Sequence, residues 1–178
     1  VRASGLPALQ IPHFLVRSAL CHVHLDDLDR AQALYAEAIA LATPADRRSF
    51  EFHARLLRAH RLQGDGATAA ALDVLRELLA DCRDAGYFGF LRLPASMLSP
   101  LLAAALAAGI EIDYVRKLIR NRKLPPPAAT TADWPWPLAL RTLGEFAIVR
   151  EGEALVSKGK AQKKPLELLK ALIAQGGR

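Results

Sequence analysis

The chain has 178 residues, among which Ala (33) and Leu (31) are the most frequent, while Trp, Tyr and Phe together number only 11. This composition favours close-packed helices and argues against an all-β protein, and 52% apolar residues exclude intrinsic disorder for most of the chain. Residues 1–110 hold 11 Arg and 11 acidic residues, so the net charge of +6 comes entirely from residues 111–178, where all seven lysines lie.

Four helices in two pairs are predicted for the first half of the chain. We expect them over residues 12–25, 27–43, 46–64 and 65–82, because each begins at a start signal and is followed by a break. The start signals are Pro12, Asp27 or Asp29, Asp46, and Asp65 or Thr68. The apolar residues that recur at helical spacing and should face the core are Ala31, Leu34, Ala38 and Leu41; Phe50, Phe52, Ala54, Leu56, Leu57 and Ala59; and Leu72, Val74, Leu75, Leu78, Leu79 and Cys82.

The two predicted pairs are similar to each other at an offset of 38 residues. The residues that correspond are Arg17, Cys21, His22, Asp27, Ala31, Ala33 and Leu34 with Arg55, Ala59, His60, Asp65, Ala69, Ala71 and Leu72. Helix pairs of about 34 residues with a small residue at the helix contact are typical of tetratricopeptide repeats, so we expect Ala31 and Ala69 to be those contacts. The longer spacing resembles the repeats of MalT-like bacterial regulators. A generic bundle of α-hairpins is the alternative.

A third helix pair is predicted over residues 99–108 and 111–123, separated by Gly109. Were the first of these helices to start earlier, at Pro94, then Pro100 would kink it. On the second, Ile112, Val115 and Ile119 should face inward.

A basic stripe lies on the opposite side of the last of these helices. It consists of Arg116, Arg120 and Lys123, which share one face at helical spacing. Three cations on one face suit contact with nucleic-acid phosphates. The alternative is an ordinary solvated face.

Residues 125–137 are predicted to form a semi-rigid linker. They contain three consecutive prolines and the segment Trp134-Pro135-Trp136-Pro137, which cannot continue a helix. We expect Trp134 and Trp136 to anchor this linker by packing.

A small antiparallel β-meander followed by one helix is predicted after the linker. Leu138, Leu140 and Thr142 alternate with Ala139, Arg141 and Leu143, and Phe146 and Ile148 continue this alternation. Glu151-Gly152 marks a turn into residues 154–156. A basic loop follows, and Pro165 opens a helix with apolar periodicity. The loop lysines are Lys158, Lys160, Lys163 and Lys164. They could contact phosphate, or they could simply keep the sheet edge soluble.

The order of residues in this last part carries a family resemblance. The run LALRTLGEF over 138–146, the turn at Gly152, GKAQ over 159–162 and PLELLKALI over 165–173 resemble the start of an OmpR-type winged-helix domain, as found in bacterial regulators of the SARP and BTAD kind. The resemblance implies a sheet under three helices, a third helix in the major groove and a hairpin wing. Only the sheet and the first helix have counterparts here. Such regulators often also carry an ATP-binding STAND-type module, which we would expect upstream.

The cellular setting follows from the cysteines and the apolar runs. Cys21 and Cys82 are the only thiols, which favours a reducing cytosol over a disulfide framework and leaves a single bridge open. The longest apolar run, residues 101–110, is shorter than the roughly 20 residues that cross a bilayer, so we expect no membrane partner. Because the chain begins with Val1 and ends directly after a helix, we also expect a segment of a longer protein.

The predicted fold is therefore mainly α. We expect tetratricopeptide-like antiparallel helix pairs over residues 1–124, a Pro/Trp linker over 125–137, and a β-meander plus one helix, a truncated winged helix, over 138–178. The expected function is that of a segment of a cytoplasmic bacterial transcriptional regulator. DNA would bind the complete winged-helix domain, and a protein or small effector would bind the helical array. The alternative is a protein–protein interaction scaffold that does not bind DNA.

No enzymatic, cofactor or metal site is expected. Cys21 and His24 lie three residues apart on a helix and could share a metal, but a structural zinc needs four ligands. His22 and His60 correspond across the two pairs and are expected to be partly exposed.

Overall fold

The computed structural model describes residues 10–90, 92–128, 133–142, 146–150, 153–154 and 163–176. The chain divides into two compact units, Val1–Pro135 and Trp136–Arg178. The described residues form helices followed by a small antiparallel sheet and a further helix, which confirms the predicted mainly α fold.

The first unit consists of helices that pack as successive antiparallel neighbours. Their bounds are α1 Ile11–His24, α2 Leu28–Leu41, α3 Pro44–Gly64, α4 Thr68–Asp84, α5 Ala95–Ala107 and α6 Ile112–Arg122. Helix α1 packs on α2, α2 on α3, α3 on α4, and α5 on α6, while α5 also contacts α3 and α4. A continuous core runs from Leu15 on α1 to Trp134.

The helix starts follow from local capping. Asp27 caps α2, because its carboxylate accepts a hydrogen bond from the Arg30 amide at 3.2 Å. Thr43 caps α3 with Pro44 in the first turn, so α3 begins two residues before the predicted Asp46. Helix α5 begins at Ala95, and therefore the alternative with Pro100 inside the helix is the correct one.

Five helices of the first unit end in the same left-handed turn. In these five turns the residues with positive φ are Asp26, Gly66, Gly86, Gly109 and Lys123. After α1, the Asp27 amide donates to the His22 carbonyl at 2.9 Å and the Asp26 amide donates to the Val23 carbonyl at 3.2 Å, the two bonds of a Schellman motif. Glycine adopts this conformation without a Cβ clash. Asp26 (φ 60°) and Lys123 (φ 49°) therefore hold a strained backbone.

The second helices of the two pairs, α2 and α4, begin 40 residues apart rather than the predicted 38, whereas the first helices, α1 and α3, begin 33 residues apart. Helices α2 and α4 begin at Leu28 and Thr68, and the preceding turns lie at Asp26 and Gly66. With this offset, buried residues coincide: Ala19 with Ala59, Ala31 with Ala71, Tyr35 with Leu75, and Ala38 with Leu78. Ala69 is exposed, so the prediction that it forms the helix contact was wrong. The offset of 38 pairs buried alanines with exposed ones, Ala31 with Ala69 and Ala71 with Ala33, so it does not match the packing.

Most residues predicted to face the core are buried, with two clear exceptions. Leu41 is 47% exposed at the end of α2, and Ile112 is 40% exposed at the start of α6. Both residues lie in a terminal turn of their helix, where the apolar face extends beyond the neighbouring helix that covers it. Ala54, Leu72 and Val74 are partly buried and pack against the core.

The second unit begins with a three-stranded antiparallel sheet of order β1-β2-β3. The strands are β1 Leu138–Arg141, β2 Ala147–Arg150 and β3 Glu153–Ala154. In the register, Leu140 lies opposite Ile148 and Val149 lies opposite Ala154. Helix α7, Lys163–Ala174, follows and begins two residues before Pro165. The Lys170 ammonium lies 4.9 Å from the centre of the Phe146 ring.

Candidate functional site

The predicted basic stripe lies along one side of α6. Val115, Leu118 and Ile119 are buried and hold the helix on the core. On the other side Arg120 and Lys123 are exposed and Arg116 is half-buried. Among the described residues, no carboxylate forms an ion pair with any of the three. The stripe is therefore a row of uncompensated positive charge, which is the property that phosphate contact requires.

In contrast to the stripe, the charged side chains near the start of α6 have partners. The Arg83 guanidinium lies 2.5 Å from the Glu111 carboxylate and 2.8 Å from that of Asp84. The Lys117 ammonium lies 5.2 Å from the centre of the Phe88 ring, within range of a cation–π interaction. The net positive field of α6 therefore lies toward its C-terminal half.

Arg122 has a structural role that the sequence did not reveal. Its guanidinium donates to the Phe90 carbonyl and, at 3.2 Å, to the Leu93 carbonyl. Burial lowers the pKa of this guanidinium below its ordinary value. Arg122 thus fastens the segment before α5 to α6. Because its partners are backbone carbonyls, no pattern of residue types could have indicated the contact.

The predicted Pro/Trp linker is divided between the two units. Trp134 is only 4% exposed and belongs to the core of the first unit. The Ser99 hydroxyl on α5 donates to the Pro125 carbonyl at 2.7 Å, which fixes the start of the proline run to the helices. Trp136, by contrast, is 40% exposed and begins the second unit. The two tryptophans, both predicted as anchors, therefore occupy different environments.

The predicted lysine cluster falls partly outside the described residues. Lys158 and Lys160 lie outside them, as does the side chain of Lys163, whose backbone begins α7. Lys164 is exposed in the first turn of that helix. The structure thus places one member of the cluster, on the surface.

The thiols and histidines singled out in the sequence have other partners or none. Cys21 is exposed and Cys82 is buried, and both are free; burial raises the pKa of the Cys82 thiol to about 12. His24 Nε2 lies 3.1 Å from the Arg92 carbonyl oxygen, and His22 Nδ1 lies 3.0 Å from the Asp27 carboxylate. In the described part of the chain, no three His, Cys, Asp or Glu side chains are grouped as metal ligands would be.

Comparison of the chain with protein families, with curated proteins and with solved structures finds no match. Among the helices that the structure describes, none has the length and apolar character needed to cross a bilayer.

Proposed function

We propose that this chain carries the helical array and the beginning of the DNA-binding domain of a cytoplasmic bacterial transcriptional regulator. The order of elements supports this proposal: antiparallel helix pairs, a Pro- and Trp-rich connection, three short antiparallel strands and then a helix. The resemblance of residues 138–173 to the start of an OmpR-type winged-helix domain supports DNA as the partner. The two free cysteines fit a reducing compartment.

The observation that carries the proposal is the absence of buried side chains from the described part of the second unit. Leu138 and Leu140, two apart on β1, are 54% and 41% exposed, and Leu168 and Leu172, four apart on α7, are 62% and 43% exposed. A strand and a helix that each leave an apolar row uncovered need further elements to bury it. Additional helices, as in a complete winged-helix domain, would supply that cover.

Coupling between the array and DNA follows from where the connection is held. Trp134 is packed in the helical core, and the first unit ends at Pro135. A signal that loosens the packing around Trp134 would lengthen the stretch of chain that the helices do not hold and so widen the range of positions open to the DNA-binding domain. The basic stripe on α6 would add phosphate contacts that are independent of base sequence.

The stripe can be tested by the salt dependence of DNA binding by the full-length gene product that contains this chain. We expect Arg120→Ala and Lys123→Ala each to reduce the slope of log affinity against log salt by about 1, as loss of one phosphate contact does. The matched control is Arg58→Ala, which removes an exposed arginine from α3. A product that binds no duplex DNA, and instead binds other proteins through its helices, would contradict the proposal in favour of the scaffold alternative.

A further inference from the structure

A small pocket in the first unit has the features of a ligand site. It encloses about 300 Å³ between α1, α3 and the segment that precedes α5, which is within the range of small-molecule sites. The pocket, here called the arginine pocket, is lined by four polar residues, His13, Arg17, His53 and Arg92. Val16 and Leu20 form an apolar wall. The pocket lies entirely within one unit and away from the α6 stripe.

The charged residues that line the arginine pocket are basic. Among the described residues no acidic side chain lines it, although the Asp46 carboxylate lies 3.4 Å from Nε2 of the lining residue His13. Arg17 and Arg92 are exposed at its rim, and in the described part of the chain neither guanidinium has a hydrogen bond or an ion pair, whereas Arg55, Arg61 and Arg83 are all paired with carboxylates. Two uncompensated guanidinium groups beside one cavity favour an anion, because guanidinium binds carboxylate and phosphate oxygens in a bidentate manner.

The floor of the pocket offers an unpartnered hydrogen-bond acceptor on a largely buried histidine ring. His53 is only 8% exposed, and its Nδ1 lies 2.8 Å from the Ser49 carbonyl oxygen. A carbonyl can only accept, so Nδ1 carries the proton and donates it, and Nε2 of the neutral ring keeps its lone pair. Burial lowers the pKa of His53, which keeps the ring neutral. Nε2 has no partner among the described residues, although His53 lines the cavity.

The neighbouring rings hold His53 in this orientation. Tyr35 is stacked on it with ring centres 6.0 Å apart, and Phe90 contacts it edge-on at 5.3 Å. Gly89 forms part of the pocket wall as bare backbone, since a Cβ there would lie 2.5 Å from the Tyr87 ring. The Arg92 backbone is held by His24 through its carbonyl. The acceptor on His53 is therefore in place before any ligand binds, which reduces the ordering cost of binding at that end of the pocket.

The geometry points to the arginine pocket as a binding site for a small organic anion that also carries a hydroxyl group. The anionic group would lie between Arg17 and Arg92, and the hydroxyl would donate to His53 Nε2. The volume, divided by the roughly 30 Å³ that one water occupies in the liquid, admits a ligand of about ten non-hydrogen atoms. Binding itself does not depend on the proposed function; the role of such a ligand as the effector of a regulator does.

The proposal is tested by calorimetric titration of the purified chain with glycerol 3-phosphate, gluconate, inorganic phosphate and glycerol. We expect the hydroxylated anions to bind and glycerol not to bind. Inorganic phosphate should bind more weakly, because its hydroxyl belongs to the anionic group held by the arginines and it has no separate hydroxyl to donate to His53. Arg17→Ala and Arg92→Ala should each weaken binding about tenfold or more, as loss of a charged hydrogen bond does. Arg58→Ala, outside the pocket, should bind like the unaltered chain.

Several results would overturn the assignment. Absence of binding by both hydroxylated anions at millimolar concentration would contradict the existence of this site. Equal affinity of the two arginine variants and the unaltered chain would contradict it as well. If inorganic phosphate binds as tightly as glycerol 3-phosphate, the proposed hydrogen bond from the ligand hydroxyl to His53 Nε2 is contradicted. Because both arginines are exposed, the variants should fold, and their helical circular dichroism checks this. Binding without any effect on DNA affinity of the full-length product would instead contradict only the effector role.

Discussion

Replacement of Trp134 by Ala should destabilise the helical unit strongly. The side chain is only 4% exposed and belongs to the core cluster. A tryptophan buries about 150–250 Å², which at about 25 cal/mol per Å² corresponds to roughly 4–6 kcal/mol as an upper estimate. Measured large-to-small substitutions of Trp in cores cost about 3–5 kcal/mol. We therefore expect a loss of about 3–5 kcal/mol in the free energy of unfolding, measured by urea titration followed at the helical circular dichroism band.

The matched control is Trp136→Ala, two residues further along the same segment. Trp136 is 40% exposed and belongs to the second unit, so its removal should change the unfolding of the helices by no more than about 0.5 kcal/mol. Trp134→Ala should also speed proteolysis of the 125–137 segment, because its attachment to the helices is lost. Equal effects of the two substitutions would refute the distinction between a docked and an exposed tryptophan.

Three further predictions concern stability. Lys123→Gly should stabilise the chain by about 1 kcal/mol in thermal unfolding, because it relieves the left-handed backbone after α6. Lys117→Gly, inside α6, should destabilise it by about the same amount. Stability changes of the same sign in the two variants would contradict this prediction. Ser99→Ala should cost about 1–3 kcal/mol in urea unfolding by leaving the Pro125 carbonyl without its donor, and a neutral result would mean that water replaces the hydroxyl. Since His53 has a lowered pKa in the folded state, the unfolded chain binds the extra proton, so stability should fall as pH decreases below about 6.5; His53→Gln should make this decline shallower, and an unchanged slope would contradict the burial argument.

The helices of the first unit were predictable because their signals are local. Asp27, one of the two start signals predicted for α2, caps that helix, whereas α3 begins at Thr43-Pro44 rather than at the predicted Asp46. The offset between α2 and α4 was not predictable from residue identity, because alanines are frequent on both the buried and the exposed sides of these helices, as Ala31 and Ala69 show. The turns at Asp26 and Gly66 set the true spacing, and Asp26 gives no glycine signal.

The candidate sites were predictable to different degrees. Arg116, Arg120 and Lys123 share a face because helical spacing alone decides it. The docking of Trp134 but not Trp136 depends on the tertiary packing of the helical core, which sequence spacing does not specify. The arginine pocket was missed altogether, because its residues come from α1, α3 and a loop far apart in sequence.

The most direct test of the proposed function is a competition gel shift at physiological salt. A duplex selected by the full-length gene product is mixed with a scrambled duplex of the same length. We predict that the full-length product discriminates between the two, whereas residues 1–178 alone bind both equally, since the recognition helix of a winged-helix domain has no counterpart in residues 138–178. Discrimination by residues 1–178 alone, or none by the full-length product, would contradict the proposal.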